Sequence, residues 1–261
     1  MIQTQLKYFK YNQENEIGVL TIATSPKINQ FSLEALAELN EILSAIEKKS
    51  DLKALIINAE GKAFAAGANI SQMAQMSPDE GEAFGKLGQE TFDRIENLDI
   101  LTIAAVNGTS VGGGCELCLS CDYRIATEKA LFGQPEITIG LIPGWGGSRR
   151  LTRVVGKTFA AELIYSGRFF NAEEALKIGF LNKLVKEEEL MNTAYEMAKA
   201  VTNKSKTIFK YAKKAFQAEF KMSDTEAELE ERLFFKKCFE SNASKEGMSA
   251  FLEKRQPEFK E

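Results

Sequence analysis

Short runs of β-branched and aliphatic residues alternate with stretches of helical periodicity over the first two-thirds of this chain. Gly18-Val19-Leu20-Thr21-Ile22 reads as a strand. Ser32, a good capping residue, precedes Leu33, Leu36, Leu39, Ile42, Leu43 and Ile46, whose spacing predicts a helix with one apolar side. Residues 54–58 and 102–106 are predicted strands, apolar enough to be buried on both faces as strands under covering helices are. Residues 122–126 and 181–185 read as further strands. The repeated alternation predicts an α/β fold.

The pattern changes near residue 187, where strand signals vanish and three or four amphipathic helices follow. One starts at Ser223, with Glu226 three residues on as a capping box. Another covers roughly residues 244–254 and stops near Pro257. A boundary is expected close to 195, dividing a core of residues 1–195 from a helical region of residues 196–261. No solenoid-length repeat or low-complexity tract is evident.

Composition narrows the function classes. A chain of 261 residues with 44% hydrophobic content supports one full-sized domain, with or without a smaller appendage. A net charge of −4 gives no electrostatic footprint for nucleic acid or an anionic membrane. The first residues lack the apolar segment of a secretory signal, and no stretch approaches the ~18 apolar residues of a membrane span. A cytoplasmic protein is expected. There are no histidines, which excludes serine–histidine nucleophilic catalysis and histidine-held metals. Acid–base work near neutral pH falls to carboxylates, a tuned Cys or Lys, or Tyr.

Cys115, Cys118 and Cys121 form a C-x2-C-x2-C run, with Cys238 far away. An iron–sulfur motif of that kind requires a nearby fourth ligand, usually followed by proline, and Asp122-Tyr123 stand there instead. The three cysteines are expected to share one side of a buried helix as small apolar residues, with no metal and no disulfide.

Two turns look built to receive an anion. The first, Lys62-Ala63-Phe64-Ala65-Ala66-Gly67-Ala68-Asn69-Ile70, follows the strand at 54–58. Its small residues admit close approach of a ligand to backbone N–H groups. The second, Gly112-Gly113-Gly114, opens the cysteine-bearing helix, where free N–H groups and the helix dipole favour negative charge. Each turn taken alone reads first as a plain tight turn. Together they flank two glutamates in rigid contexts: Glu116 just after the triple glycine, and Glu136 closing Gln134-Pro135-Glu136. The glycine-rich segment after Glu136, which includes Gly144, Trp145, Gly146 and Gly147, suggests close backbone contact with a ligand. Other glycine signals fail. Leu151 stands where a phosphate-binding P-loop ending in Gly156-Lys157-Thr158 needs glycine. G-x-G-x-x-G is broken by Leu117 in one cluster and Arg149 in the other.

The stretches KAFAAGANI, AAVNGTSVGGGCELCLSCDYRIAT, FGQPEITIGLIPGWGGSRRLTRVVG and EGMSAFLEKRQPEFK resemble the crotonase (enoyl-CoA hydratase/isomerase) superfamily in order and spacing over essentially the whole chain. The likeness is strongest to bacterial short-chain enoyl-CoA hydratases. The resemblance implies a spiral of ββα units with C-terminal helices that assemble trimers, commonly dimers of trimers. It also implies an acyl-CoA thioester substrate, with CoA part of the substrate and no separate cofactor. By position, the backbone N–H groups of Ala68 and Gly113 would polarise the thioester carbonyl, and Glu116 and Glu136 would be the two catalytic carboxylates. Ala66, Gly67, Asn69 and Ile70, then Gly144 and Trp145, would line the substrate site, with Lys27 at the CoA-proximal loop. Phe251 and Lys254 would reach a neighbouring subunit's CoA.

The chain departs from the family pattern at four places. Asn69 replaces the usual aspartate, implying a local hydrogen-bonding change with the reaction intact. Ser71 stands where many relatives have a lysine near the CoA phosphates, which implies a weaker contact there. Trp145 takes a position often filled by Ala or Phe, implying a shorter acyl pocket. Pro26-Lys27-Ile28-Asn29-Gln30-Phe31 is a divergent form of the CoA-proximal loop. The resemblance favours hydration because both glutamates are present, since family members that isomerise a double bond generally keep only the second. The alternatives are another acyl-CoA enzyme of the family (isomerase, hydrolase or decarboxylase) or a non-catalytic acyl-CoA or RNA-binding relative.

Overall fold

The computed structural model describes residues 6–25 and 28–259. The chain enters as a hairpin, β1 (Phe9–Glu14) and β2 (Ile17–Ile22), with the positive-φ Asn15 in its turn. Helix α1 (Leu33–Glu47) follows, capped by the Ser32 hydroxyl, which accepts from Ala35 N. Leu36, Leu39, Ile42, Leu43 and Ile46 are buried as their spacing predicts, whereas Leu33 at the first turn is exposed. Each of these buried side chains stabilises the fold by about 1.5–3 kcal/mol, so truncating Leu43 to alanine would cost about 2–5 kcal/mol.

Next come β3 (Ala54–Ala59), β4 (Ala63–Ala65), the short α2 (Ile70–Met73) and the long α3 (Pro78–Glu96). Helix α3 begins with a complete capping box between Ser77 and Glu80, and has Pro78 at its first position. Then follow β5 (Leu101–Val106), β6 (Thr109–Val111), α4 (Gly113–Ser120), β7 (Tyr123–Thr127) and β8 (Leu131–Gly133). A 3-10 turn at Pro135–Ile139 leads to α5 (Gly147–Ser166), β9 (Phe169–Asn171), α6 (Ala172–Lys177) and β10 (Lys183–Val185). The described chain ends in α7 (Leu190–Thr202), α8 (Lys206–Ala218), α9 (Asp224–Glu240) and α10 (Asn242–Leu252).

The strands form two sheets. One runs β1-β2-β3-β5-β7-β10 and is parallel except for the β1–β2 hairpin. The other runs β4-β6-β8-β9, parallel except for β8–β9. All six residues of β5 are buried, as are the first four of β3, matching the expectation of strands covered on both faces. On one face, residues such as Leu55, Ile57 and Ala104 join α1, α3, α4 and α5 in the main core. On the other, Ile56, Ile103 and Ile125 pack with Leu190, Ala194 and Ala198 of α7. Residue 195, where the helical region was expected to begin, therefore lies inside a helix that covers the sheet. Phe209 of α8 packs against the same cluster.

The last two predicted strands are shifted or shortened to Tyr123–Thr127 and Lys183–Val185. The helix expected over 244–254 is Asn242–Leu252, capped by Ser241, and the capping box at Ser223 is present as predicted. Helix α8 is fixed to the core by Lys213, whose ammonium is buried and donates to Ile100 O (3.0 Å) and Asp122 Oδ2 (2.7 Å). The outer surface of α8, α9 and α10 leaves Phe216, Leu229, Phe235, Phe239, Phe251 and Leu252 exposed. Phe234 is half-buried, stacked on Tyr211.

Candidate active site

Two backbone turns meet at the ends of β4 and β6. After β4 the chain bends through Ala66, Gly67 and Ala68. Ala66 N donates to Asn29 O (2.8 Å), Phe31 N donates to Gly67 O (2.9 Å), and Asn69 N donates to Phe31 O (2.9 Å). Gly67 has φ +86, which a side chain would strain. After β6, Gly112 N donates to Gly133 O (3.0 Å) and the chain enters α4. The turns touch through bare backbone. A Cβ on Gly114 would lie 2.1 Å from Ala65 O, and one on Gly67 would lie 3.1 Å from Gly113 N. Among the described residues, neither Ala68 N nor Gly113 N donates a hydrogen bond within the chain. Both residues line one cavity of about 390 Å³.

Glu116 and Glu136 line the same cavity. Glu116, in the first turn of α4, is only 2% exposed, and its Oε1 accepts from Trp145 N and Gly147 N, both at 2.7 Å. Glu136 stands on the 3-10 turn, half-buried, close enough to Gly112 that a Cβ there would be 3.3 Å from Glu136 Oε1. The Gln134 amide, oriented to satisfy its neighbours, donates to Glu136 Oε1 at 3.0 Å and Oε2 at 3.2 Å. Burial pushes both carboxyls up: Glu116 to about 8, with the charge of Glu136 adding and the two amide donors opposing, and Glu136 to about 7. The charge of each disfavours the charge of the other, so the two groups titrate as a pair. With one proton on the pair, a carboxylate and a carboxylic acid would face the same cavity, an arrangement able to act as base and acid together.

A buried cation supports this arrangement. Arg150 of α5 is 1% exposed; its Nη1 donates to Trp145 O (2.8 Å) and its Nε to Glu96 Oε2 (2.9 Å), and it also pairs with Asp93 of α3. It therefore holds the carbonyl of the residue whose N–H holds Glu116, and its positive charge favours the Glu116 anion. Nothing in the run Ser148-Arg149-Arg150-Leu151 marks Arg150 as buried, because its acidic partners come from another helix. Asn29 was also missed. It is 1% exposed, accepts from Thr24 N (3.0 Å), and donates to Glu60 O (3.0 Å) and Phe64 O (3.2 Å), pinning the loop beneath the first turn.

Ala66, Gly67, Ala68, Ile70, Gly113, Gly144 and Trp145, all singled out from the sequence, line the cavity with the two glutamates. Asn69 does not: its side chain turns to cap α2, accepting from Gln72 N (3.2 Å). Phe251 and Lys254 are also away from the cavity within this chain, exposed on α10 and just after it. Lys27 lies outside the described residues. Cys115 and Cys118 are buried on α4, and Cys121 is buried one residue past its end, in extended backbone at the cap rather than on the helix as expected. Burial raises all three thiols, Cys118 to about 12, so they pack as small apolar groups.

Two backbone amides without an acceptor among the described residues lie beside two carboxyls in a largely apolar cavity between parallel-sheet turns, an arrangement able to polarise a carbonyl and move protons next to it. The chain belongs to the enoyl-CoA hydratase/isomerase family, whose model matches residues 12–261. It is 41% identical to the short-chain-enoyl-CoA hydratase of Clostridium acetobutylicum, covering 94% of this chain and 95% of that one. It is 39% identical to the crotonyl-CoA hydratase of Syntrophomonas wolfei, covering 95% of each. The crystal structure of an enoyl-CoA hydratase from Bacillus anthracis superposes with a TM-score of 0.92 at 32% identity, covering 97% of this chain and 99% of that one.

Proposed function

We propose that this chain is an enoyl-CoA hydratase that adds water reversibly to a trans-2-enoyl-CoA, with Glu116 and Glu136 acting on one water molecule. The observation that carries this reading is the meeting of two raised-pKa carboxyls and two unengaged backbone amides on one cavity. Ala68 N–H and Gly113 N–H donate to the thioester oxygen, where negative charge develops as water attacks C3. Donors fixed in this way are worth about 3 kcal/mol each in the transition state. Glu116 takes a proton from the water as its oxygen bonds to C3. The electron pair of the double bond moves toward the thioester, and Glu136 delivers its proton to C2. The net change is H₂O added across C2–C3, and the pair returns to its starting state when the proton on Glu116 passes back to Glu136. Short amide bonds to Glu116 and the nearby Arg150 oppose the upward push of burial, which still raises its carboxyl further than that of Glu136; the reactive form is therefore the one-proton pair in which Glu116 is the ionised member. The amide of Gln134 holds the Glu136 carboxyl beside Gly112.

This chemistry calls for no metal or redox cofactor, and CoA arrives as part of the substrate. Ala66, Gly67, Ile70 and Gly144 form the walls beside the thioester, with Lys27 supplying charge toward the CoA. The exposed aromatic and leucine side chains of α8, α9 and α10 fit a shared interface in a trimer or a dimer of trimers. In that assembly Phe251 and Lys254, remote from their own cavity, serve a neighbour's CoA. No helix among the described residues is long and apolar enough to cross a membrane, and a cytoplasmic location agrees with a diffusible thioester substrate. The test is direct: loss of the conjugated enoyl thioester absorbance when crotonyl-CoA is added. An inert wild-type protein would overturn the proposal.

A further inference from the structure

The cavity has an open lip and a closed end. Ile70, Ile139 and Ile142 at the lip are 47%, 54% and 76% exposed, whereas Trp145 at the other end is 4% exposed. Its indole meets Phe31, Phe84 and Phe92 edge-on, with ring centroids 6.2, 5.2 and 5.6 Å away. The seat depends on two glycines. A Cβ on Gly88 of α3 would lie 2.2 Å from the indole Cδ1 and Nε1, and one on Gly113 would lie 2.4 Å from Cζ3. A turn and two turns earlier on α3, Gly85 and Gly81 also line the cavity, and a Cβ on either meets nothing within 4 Å. The glycines of α3 thus have two fates: Gly88 is filled by the ring, while Gly81 and Gly85 face open space.

We propose that Trp145, seated in the notch at Gly88, sets the acyl-chain length, confining the site to short straight-chain enoyl thioesters. This rests on the hydratase reading above. With the thioester oxygen at Ala68 and Gly113 and C2–C3 between the glutamates, the carbons beyond C3 run toward the ring edge that touches Gly113. Three aromatic rings and the bare backbone at Gly88 enclose the indole, and a close-packed ring of this size has no second rotamer to retreat into. A short chain covers the ring, and a longer one must displace it. Removing the ring opens the space between Gly113 and Gly88, continuous with the open face at Gly85.

The test is kcat/KM across a series of trans-2-enoyl-CoAs from crotonyl to dodecenoyl, for the full chain and for Trp145→Ala, Trp145→Phe and Gly88→Ala. The wild type should lose activity as the chain lengthens. Trp145→Ala should raise the dodecenoyl-to-crotonyl ratio by roughly thirtyfold or more, mainly through KM, at about fourfold for each methylene newly covered. Trp145→Phe should give a smaller rise. Gly88→Ala, which pushes the ring toward the cavity, should narrow the profile further toward crotonyl-CoA. If Trp145→Ala fails to fold, the other two variants decide, and an unchanged length profile in both overturns the inference. A Trp145→Ala ratio within about threefold of wild type, or a uniform loss at every length, overturns it as well. A wild type that does not hydrate crotonyl-CoA refutes the hydratase reading itself. Hydration with a length profile indifferent to Trp145 and Gly88 refutes only the role assigned to the ring.

Discussion

Gly114→Ala should damage catalysis far more than stability, because of where its methyl group would go. A Cβ there would sit 2.1 Å from Ala65 O, 2.7 Å from Ala65 C and 2.9 Å from Ala65 Cβ. The first two are backbone atoms of β4, so no flexible side-chain tip can swing aside. Non-bonded heavy atoms need roughly 3.5 Å, so α4 and β4 must part by about an ångström. Ala65 leads directly into Ala66-Gly67-Ala68, and Gly113 is the residue before the substitution, so the parting falls on the two proposed oxyanion donors. A misplacement of about 1 Å costs about 100-fold in rate, and losing one donor outright costs about 100- to 1000-fold. The overpacking itself should cost about 1–3 kcal/mol, a shift of several degrees in Tm for a chain of this size. The assay is kcat for crotonyl-CoA hydration well below either Tm, alongside a thermal melt by circular dichroism. A Gly114→Ala protein with kcat within about threefold of wild type would refute the argument that this backbone contact sets the donor geometry.

Three further predictions rest on charge and surface. The pH dependence of kcat/KM should be bell-shaped, falling in acid as the glutamate pair takes up a second proton and in base as it loses its last one; a flat profile from about pH 5 to 10 would contradict a base and an acid with raised pKa values. Because burial raises the folded-state pKa of Glu116 above its unfolded value near 4.3, the folded protein binds more protons between those limits, and this contribution to stability is lost as pH rises toward about 8. Denaturant melts should therefore find Glu116→Gln more stable than wild type at about pH 9, by an amount on the order of a few kcal/mol that shrinks toward pH 4.5. A Glu116→Gln protein less stable than wild type at pH 9 would contradict the burial argument. Sedimentation velocity at micromolar concentration should show three or six chains per particle, with a monomer produced by charging Leu233 and Phe235 on the exposed side of α9; a monomeric wild type would remove the proposed assembly.

The large parallel sheet and the helix after Ser32 were legible in the sequence because their apolar residues repeat with a clear period and their caps are local. The second sheet was not. Its strands, β4, β6, β8 and β9, are three residues long, too short for an alternating pattern to register. The same holds for β1, whose exposed Lys10 and Asn12 alternate with buried or half-buried partners in a polar-looking run. Glu116, Glu136 and the two small-residue turns could be singled out because glycine and proline mark them. What holds Glu116 in place could not. Its partners are the N–H groups of Trp145 and Gly147, about thirty residues downstream, and a backbone amide leaves no trace in residue identity. Arg150 was hidden for a related reason: a charged residue beside Arg149 and Arg153 reads as solvated, and only the approach of Asp93 and Glu96 from α3 makes its burial tolerable. At Asn69 the expected change in local hydrogen bonding takes the form of a cap on the next helix, which residue identity alone did not specify.

The central claim, two glutamates working as a unit on one water, is tested most directly by crotonyl-CoA hydration in Glu116→Gln, Glu136→Gln and the double variant, following the enoyl thioester absorbance. Each single change should lower kcat by about 100-fold or more while KM moves much less, since neither carboxylate holds the CoA. The double variant should be little worse than either single one, as expected of residues that act together. A Glu116→Gln enzyme that hydrates crotonyl-CoA at close to the wild-type rate would contradict the two-carboxylate mechanism and leave Glu136 alone to move protons, which is the arrangement of an isomerase.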